Sequence, residues 1–217
     1  MVVLSPHLDD AVLSLGQHII EWKKEGKRIK VITVFTKFGD GKDLPDYSKN
    51  YLFESGFEST KKFEEARVKE DETAMKKLGV DFEHWGLVDA GFRNIYNSKK
   101  ELMGGVVDPR DKKLEKQIKE KLMKVSAADL FLVPAGVGGH VDHVMINNIG
   151  KEIINKKYYL DVPYIWQNLN FVKYLGKILR AKMGKTGGAE KMEILKCYQS
   201  QYGLLVRGNQ SFREIVI

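Results

Sequence analysis

The sequence predicts an α/β fold built around a mostly parallel sheet. Two observations support it: apolar runs alternate with helix-like segments from the first residues onward, and two polar turns each follow an apolar run. The run at residues 30–36 is apolar and rich in β-branched side chains, which is typical of a buried parallel strand. It follows a strand at residues 1–4 and a helix at residues 11–25. The chain therefore opens with a βαβ unit, whose crossover is normally right-handed.

The composition is that of one globular domain. The chain has 217 residues, of which 43% are hydrophobic and 30% charged, so we expect a single domain over residues 1–217. The single cysteine, Cys197, excludes an internal disulfide framework. The sequence shows neither a secretory signal nor an apolar stretch long enough to span a bilayer, which predicts a cytoplasmic protein.

The chain is basic, with a formal net charge of +7 and a sequence pI of about 9.2. Its lysines alternate with glutamates over most predicted helices, as at residues 61–65 and 112–116, which is typical of solvated helix faces. The sequence has no zinc-finger spacing, glycine-rich RNA motif or basic stripe with interleaved aromatic residues. We therefore expect no nucleic-acid partner, while attraction to an anionic substrate or surface stays an open alternative.

The turn after the first strand, Ser5-Pro6-His7-Leu8-Asp9-Asp10, brings one imidazole and two carboxylates together. In an open α/β sheet, ligands bind in the crevice beyond the carboxyl ends of the strands, where this turn lies. A structural alternative is open: Asp9 or Asp10 caps the following helix by accepting its free N–H groups, and His7 is a hydrogen-bonded core residue. A second turn of similar composition favours the functional interpretation.

That second turn, Gly138-Gly139-His140-Val141-Asp142-His143, follows an apolar run at residues 129–134 and precedes a helix-like segment at residues 144–149. If both strands lie in one parallel sheet, both turns emerge at the same edge and can meet. Three of the five histidines of the chain lie in these two turns, each within three positions of an aspartate. Imidazole and carboxylate are common ligands of divalent metals, so the two turns together predict a metal site.

Residues 37–59 have neither a helix nor a strand pattern and are rich in chain breakers and aromatic side chains. Loops of this length in compact domains are usually binding loops, lids or disordered segments. Because the segment follows a strand, we expect it at the same edge of the sheet as the two turns. It either covers the substrate as a lid or is fixed to the surface by its aromatic residues.

A helix is predicted at residues 60–78, where apolar residues recur at helical spacing and Gly79 supplies the end. Arg67, Glu70 and Asp71 share one surface of this helix. An ordinary ion pair between them, which stabilises a helix by about 0.3–0.5 kcal/mol, is the simplest interpretation.

A strand is predicted at residues 82–87, and Asp89 follows it. Its carboxylate either points into the same crevice as the two turns or only forms a turn. The other predicted features are an irregular segment at 92–110, a helix at 111–125, a short strand at 163–166, a packed or surface-lying helix at 171–188, a last helix at 189–202 and a final strand in the tail.

Together these residues resemble the LmbE-like family of zinc-dependent N-deacetylases, which includes the N-acetylglucosaminyl-phosphatidylinositol deacetylases. The first motif of that family, usually His-Pro-Asp-Asp-Glu, is here His7-Leu8-Asp9-Asp10-Ala11, and the second, His-x-Asp-His, is His140-Val141-Asp142-His143. Leu8 leaves the turn less rigid than the usual proline, and Ala11 removes a charge. Weaker similarities are Arg67-x-x-Glu70, Asp89 near a glycine, and Tyr198-x-Ser200-Gln201.

The resemblance implies a single-domain, Rossmann-like, mostly parallel sheet with helices on both faces. It also implies Zn²⁺, or another divalent transition metal, in a site that polarises an amide carbonyl and activates water. The roles that it assigns are metal ligation for His7, Asp10 and His143, general base for Asp9, oxyanion stabilisation for His140, orientation of His140 for Asp142, and substrate binding for Arg67 and Asp89.

The implied reaction is hydrolysis of an N-acetyl group from an amino sugar of the N-acetylglucosamine type, or from its conjugate. The expected partner is therefore a small N-acetylated sugar or glycoconjugate, with homo-oligomerisation possible. The alternative from another functional class is a non-catalytic sugar- or nucleotide-binding α/β protein with a structural or vestigial metal site.

Overall fold

The computed structural model describes residues 1–125, 130–167, 172, 174, 176, 188–205 and 213–217. Within these ranges, five parallel strands form one sheet in the order β3-β2-β1-β4-β5. The α/β class predicted from the sequence is therefore confirmed. The strands are β1 (Val2–Ser5), β2 (Lys30–Lys37), β3 (Asp81–Val88), β4 (Phe131–Pro134) and β5 (Lys156–Tyr159).

Helices connect and cover the strands. Ser59 caps the longest of them by accepting the Lys62 N–H. Gly79 ends this helix in a left-handed conformation, as the sequence predicts. The helices in the described part of the chain are α1 (Asp10–Lys24), α2 (Asp46–Glu54), α3 (Thr60–Leu78), α4 (Lys99–Leu102), α5 (Lys112–Leu122), α6 (Val141–Gly150), α7 (Ala189–Leu195) and α8 (Gln199–Leu205).

The sheet is covered on both faces, because the side chains of its strands alternate between two apolar clusters. In β1, Val3 belongs to the cluster that includes α1 and α3, whereas Val2 and Leu4 belong to the cluster that includes α5 and α6. All four residues of β1 are buried, which explains why the strand is a continuous apolar run. The structure thus has helices on both faces, as the resemblance implied.

The strand order reverses between β1 and β4. The chain builds β1, β2 and β3 toward one side of the sheet, then returns to place β4 against β1 and β5 beyond it. The register pairs Val2 with Phe131 and Val3 with Leu132, so the two strands end side by side. Ligand sites in open α/β sheets lie at such reversals, and both polar turns of this chain follow the two strands concerned.

Some local predictions are wrong. Residues 37–59 contain α2, of which only Ser48 and Leu52 are buried, too few to produce a helical pattern in the sequence. The predicted strand at 163–166 is instead a 3₁₀ turn, Tyr164–Trp166, closed by a bond from the Trp166 N–H to the Pro163 carbonyl. Strand β5 was not predicted, because its lysine-rich sequence lacks an apolar alternation.

The C-terminal predictions hold in part. The last helix is divided into α7 and α8, which residues 196–198 separate. The final strand is reduced to an antiparallel bridge between Tyr159 and Val216, with Tyr158 and Ile217 exchanging two backbone bonds. The predicted helix at 171–188 lies outside the described residues except at four isolated positions.

Candidate active site

The first turn connects β1 to α1 and is fixed by Ser5. Its hydroxyl donates to the His7 carbonyl at 2.9 Å and accepts from the Ala11 N–H at 3.1 Å. The His7 N–H donates to Asp10 Oδ2 at 2.9 Å, which holds Asp10 close to His7. Asp9 precedes the first residue of α1 but makes no side-chain capping bond. The structural alternative in which Asp9 only caps the helix is therefore wrong.

Leu8, which replaces the usual proline of the first motif, is fully buried. It belongs to the same apolar cluster as Phe38, Phe63 and Phe92, which lie on or beside other elements at this edge. Side-chain packing thus anchors the turn at the position where the motif usually has a proline ring.

The second turn connects β4 to α6 and needs glycine at two positions. Gly138 and Gly139 have φ angles of 88° and 77°, in the left-handed region that favours glycine. A Cβ at Gly138 would lie 2.5 Å from Tyr164 Cβ, and one at Gly139 would lie 2.6 Å from the Met103 carbonyl oxygen. The turn is therefore packed against both neighbours, and this places His140 at the start of α6.

The two turns bring the predicted metal ligands His7, Asp10 and His143 together. Asp10 Oδ2 lies 3.2 Å from His7 Nδ1 and 3.1 Å from His143 Nε2, and the two nitrogens are 3.3 Å apart. Donor atoms about 2.0–2.1 Å from a tetrahedral metal lie about 3.3–3.4 Å from one another. The spacing of these three atoms fits one face of such a site.

A carboxylate lies behind each of the two histidines. His143 Nδ1 is 2.6 Å from Asp161 Oδ1, and His7 Nε2 is 3.1 Å from Asp142 Oδ2. In the neutral tautomer that donates the N–H of that nitrogen to the carboxylate, the lone pairs of His7 Nδ1 and His143 Nε2 would face Asp10. Two imidazole nitrogens and a carboxylate oxygen that converge in this way fit a divalent cation.

The electrostatic surroundings favour positive charge at this point. Burial alone would lower the pKa of His143, but Asp10 and Asp161 raise it to about 9. Burial alone would raise the pKa of Asp10, but His143 and His7 lower it well below its usual range. Both shifts have the same cause, which is the attraction between these carboxylates and the protonated imidazoles beside them.

Other groupings of the same residues are less suitable as ligand sets. Donor atoms of His7, His140 and His143, and those of His7, Asp89, His140 and Asp142, also lie within 4.8 Å of one another. The second of these sets includes the Asp142 carboxylate, which already lies against the Ala90 N–H and the Arg93 guanidinium. We therefore prefer the set with Asp10, whose three donor atoms lie closer together.

The family resemblance implied that the Asp142 carboxylate orients His140, but the structure places the carboxylate elsewhere. Its Oδ2 accepts the Ala90 N–H at 2.9 Å and faces His7, while its Oδ1 lies 2.7 Å from Arg93 Nη1. His140 is oriented by the backbone instead, since its Nδ1 accepts the Asp142 N–H at 3.3 Å. The prediction failed because the Ala90 N–H and the positive charge of Arg93, both beyond the end of β3, attract the carboxylate.

Asp161 is a site residue that the sequence analysis missed. It is fully buried, and its Oδ2 accepts the Val137 N–H at 2.8 Å, so it links β5 to the loop before the second turn. The signal was present but weak: an aspartate following the apolar residues 158–160. Without a prediction of β5, nothing placed it at the carboxyl edge of the sheet.

Asp9 and His140 lie on the cavity side of the ligand cluster. Asp9 Oδ2 is 3.0 Å from Arg67 Nη2, and burial raises the pKa of Asp9 to about 6 although the Arg67 charge opposes the shift. Burial and the positive charge of His7 lower the pKa of His140 well below its usual value. The site thus combines a carboxylate that is mainly ionised near neutral pH with a neutral imidazole.

A cavity of about 1120 Å³ opens over these residues. Its walls include Arg67 and Asp89, so both predicted substrate-binding residues lie on it. Asp89 is also held in a turn, because its Oδ1 accepts the Gly91 N–H at 2.7 Å. Ligand pockets commonly measure about 300–1,000 Å³, so this one is large enough for more than a single small group.

Helix α2 forms one wall of the cavity. Tyr47 and Tyr51 line it, and both are also anchored: Tyr47 Oη donates to the Tyr96 carbonyl at 2.9 Å, and Tyr51 Oη donates to Gln201 Oε1 at 2.5 Å. These aromatic residues therefore fix the segment and line the cavity at the same time. Whether the segment moves as a lid stays a prediction.

The weaker sequence signatures are packed against one another. Glu70 accepts the backbone N–H and the hydroxyl of Ser200, both at 2.7 Å, and Asp71 Oδ1 accepts the Tyr198 hydroxyl at 2.7 Å. These bonds join α3 to the start of α8. The simple ion pair expected between Arg67 and Glu70 is long, at 3.8 Å, because both residues have other partners.

Residues 2–154 match the family model for GlcNAc-PI de-N-acetylase, PIG-L. The chain belongs to this family. A relative, 2'-N-acetylparomamine deacetylase of Niallia circulans, is 29% identical over 189 residues, which cover 77% of this chain and 68% of that protein. The recognition of the PIG-L (LmbE-like) family from sequence motifs, and with it the class of N-deacetylase among the hydrolases, is therefore confirmed.

Solved structures agree with the PIG-L fold. A deacetylase from the biosynthesis pathway of teicoplanin has a TM-score of 0.73 at 21% identity, with 96% of this chain and 87% of that chain covered. Another, the zinc-inhibited form of teicoplanin deacetylase, has a TM-score of 0.69 at 19% identity, with 95% and 86% covered. Among the described residues, no helix is long and apolar enough to cross a membrane.

Proposed function

We propose that this PIG-L family member is a zinc-dependent hydrolase that removes the N-acetyl group from an amino sugar of the N-acetylglucosamine type, or from its conjugate. The observation that carries the proposal is the convergence of two imidazole nitrogens and a carboxylate oxygen beside Asp9, at the base of a large cavity. A relative named for an N-acetylated aminoglycoside fragment supports a sugar substrate. We further propose that the chain acts as one domain in the cytoplasm.

His7, Asp10 and His143 are the residues that would hold the metal. Two imidazoles and a carboxylate suit Zn²⁺, although the same donors also accept other divalent transition metals. When bound, Zn²⁺ supplies Lewis-acid chemistry, by polarising the amide carbonyl and lowering the pKa of water. A similar structure is described as a zinc-inhibited form, so the test should vary both the identity and the concentration of the metal.

Asp9 is the proposed general base. It lies on the cavity wall next to the ligand Asp10, and its pKa of about 6 leaves it mainly ionised at neutral pH. It takes a proton from the attacking water as the water oxygen bonds to the acetyl carbon. It then gives that proton to the nitrogen as the C–N bond breaks, which yields acetate and a free amine.

His140 is the proposed donor to the oxygen that becomes negative during this attack. Its Nδ1 accepts a backbone N–H, so the ring proton is on Nε2, and the low pKa of His140 keeps the ring neutral. A neutral, oriented N–H on the wall of the cavity stabilises a developing oxyanion without prior charge repulsion from the metal.

Arg67 and Asp89 are the proposed sugar-binding residues. Both lie on the cavity wall. Within the described part of the chain, the Nε and Nη1 atoms of Arg67 make no hydrogen bond although they are buried, which leaves donors for sugar oxygens. Asp89 Oδ2 faces the same region, 3.4 Å from His7 Nε2.

The test is a screen of N-acetylated amino sugars and their conjugates, scored by released acetate and by the new amine, with N-acetylated amino acids as the control class. We expect release from sugars by protein purified without chelator, and little from the controls. Protein that binds metal and sugar but releases no acetate would contradict the proposal and favour a binding protein.

A further inference from the structure

We propose that Arg93 is a positioning residue for the metal ligand His7, on which it acts through Asp142. The inference rests on the proposed metal site, because it concerns how His7 is presented to the ion. Arg93 does not line the cavity and does not contact the three ligand atoms. Any effect of Arg93 on the site must therefore pass through its neighbours.

The first step is the bond between Asp142 and His7. Asp142 is fully buried, and its Oδ2 lies 3.1 Å from His7 Nε2. This carboxylate orients the ring so that Nδ1 faces Asp10 and His143, where the metal would be held. If Asp142 were turned away, Asp89 Oδ2, at the longer distance of 3.4 Å, would be the carboxylate left facing His7 Nε2.

The second step is the ion pair between Asp142 and Arg93. A buried carboxylate needs a partner, and Arg93 Nη1 lies 2.7 Å from Asp142 Oδ1. The same Nη1 donates to the Val88 carbonyl at 2.8 Å, so the end of β3 also holds the guanidinium. Arg93 therefore balances the charge of Asp142 beside Oδ1, while the Ala90 N–H binds Oδ2, the oxygen that faces His7.

The third step is what holds Arg93. Its Nη2 donates to Asp111 Oδ2 at 2.9 Å, and Asp111 also accepts the Tyr96 hydroxyl at 2.9 Å. The guanidinium carbon lies 5.3 Å from the Phe35 ring centroid and 5.8 Å from that of Tyr96. The planar guanidinium of Arg93 thus contacts two carboxylates and two aromatic rings at once. Lysine, with a single side-chain nitrogen, does not reproduce this arrangement.

The test measures the affinity of the chain for Zn²⁺ alone, by competition with a chromophoric chelator, in wild type, Arg93→Met and Arg93→Lys. Loss of an outer partner of a metal ligand typically weakens metal binding about 10–100-fold, and we expect this for Arg93→Met. Arg93→Lys should lie between Arg93→Met and wild type. The control is Arg110→Met, since Arg110 is an exposed arginine paired with Asp108, and it should bind Zn²⁺ as wild type does.

Asp142→Asn separates a positioning role from a general structural one. If Arg93 acts through Asp142, Arg93→Met should add little further loss of Zn²⁺ affinity in the Asp142→Asn background. If Arg93→Met lowers Zn²⁺ affinity as much in the Asp142→Asn background as in wild type, the proposal is contradicted. Wild-type Zn²⁺ affinity in folded Arg93→Met would also contradict it. If Arg93→Met fails to fold by circular dichroism, wild-type affinity in folded Arg93→Lys contradicts the proposal in the same way.

Zn²⁺ affinity and acetate release together distinguish the role of Arg93 from the proposed deacetylase activity. Wild type that binds Zn²⁺ but releases no acetate contradicts the deacetylase function, while the comparison of variants still tests Arg93. Wild type that binds Zn²⁺ no better than His143→Ala contradicts the metal site and the role of Arg93 together.

Discussion

The two histidine ligands are supported in different ways. His143 is held by Asp161, whose second oxygen accepts the Val137 backbone N–H at 2.8 Å. His7 is held by Asp142, whose charge is balanced by the Arg93 side chain. Both carboxylates accept a main-chain N–H, because Asp142 Oδ2 is bound by the Ala90 N–H at 2.9 Å. The support of His7 additionally passes through buried charges, from Asp142 to Arg93 and Asp111.

This difference predicts where the site tolerates change. A main-chain donor cannot be removed by substitution, so the direction of Asp161 depends mainly on the fold. The carboxylate behind His7 has a main-chain donor as well, Ala90, but its second oxygen depends on Arg93 and, beyond it, on Asp111, each of which a single substitution can remove. Substitutions far from the cavity should therefore affect the metal site through the His7 side more often than through the His143 side.

The largest effect is expected from removing Asp10, the proposed metal ligand that lies next to both histidines. Asp10→Ala deletes the oxygen that lies 3.2 Å from His7 Nδ1 and 3.1 Å from His143 Nε2. Metal content and acetate release should fall together, and excess zinc should restore part of both. Asp40→Ala removes an exposed carboxylate outside the site and serves as the control. Retained metal in Asp10→Ala would show that another ligand set is used.

The next largest effect is expected at the neighbouring aspartate. Asp9→Asn keeps the size of the side chain but cannot accept a proton, so turnover should drop about 10²–10⁴-fold while metal content stays unchanged. Elemental analysis and acetate release on the same samples check this. If Asp9→Asn loses its metal while Asp10→Ala keeps it, the two roles are exchanged.

The comparison itself is tested by Asp161→Asn and Asp142→Asn. Each removes the negative charge behind one histidine, and each should weaken Zn²⁺ binding about 10–100-fold. Among the described residues, Asp142 has an arginine partner and Asp161 has none, so only Asp142→Asn should abolish the effect of a further Arg93→Met substitution. If Arg93→Met is coupled equally to Asp142→Asn and Asp161→Asn, the supports of His7 and His143 do not differ in the way described.

The smallest effect is expected away from both histidines. Ser200→Ala removes one hydroxyl bond to Glu70 at 2.7 Å and should lower the free energy of unfolding by about 1 kcal/mol. Zn²⁺ affinity should not change, because Ser200 joins α8 to α3 and touches neither support. Chemical denaturation measures the first quantity and chelator competition the second. Weaker Zn²⁺ binding by Ser200→Ala would show that α8 also helps to hold the metal ligands in place.

The sequence was sufficient for the parts of the site that carry local signals. The runs before His7 and His140 are apolar, so they predict buried parallel strands, and the two turns share an edge if both strands lie in one sheet. The PIG-L motifs then imply which side chains serve as ligands.

The parts that the sequence did not reveal depend on distant contacts. Asp161 follows β5, a lysine-rich strand that forms because β4 and the tail pair with it. Arg93 lies in a segment without regular pattern, and only the folded chain places it between Asp142 and Asp111. Likewise, the direction of the Asp142 carboxylate is set by groups beyond the end of β3, which no motif encodes.

The most direct test of the account is to measure metal content and acetate release on the same wild-type samples, before and after removal and return of Zn²⁺. The geometry of His7, Asp10 and His143 predicts about one tightly held ion per chain. Activity should fall with the metal and return with it in the same proportion. Full deacetylation by protein stripped of all metal would contradict the central claim.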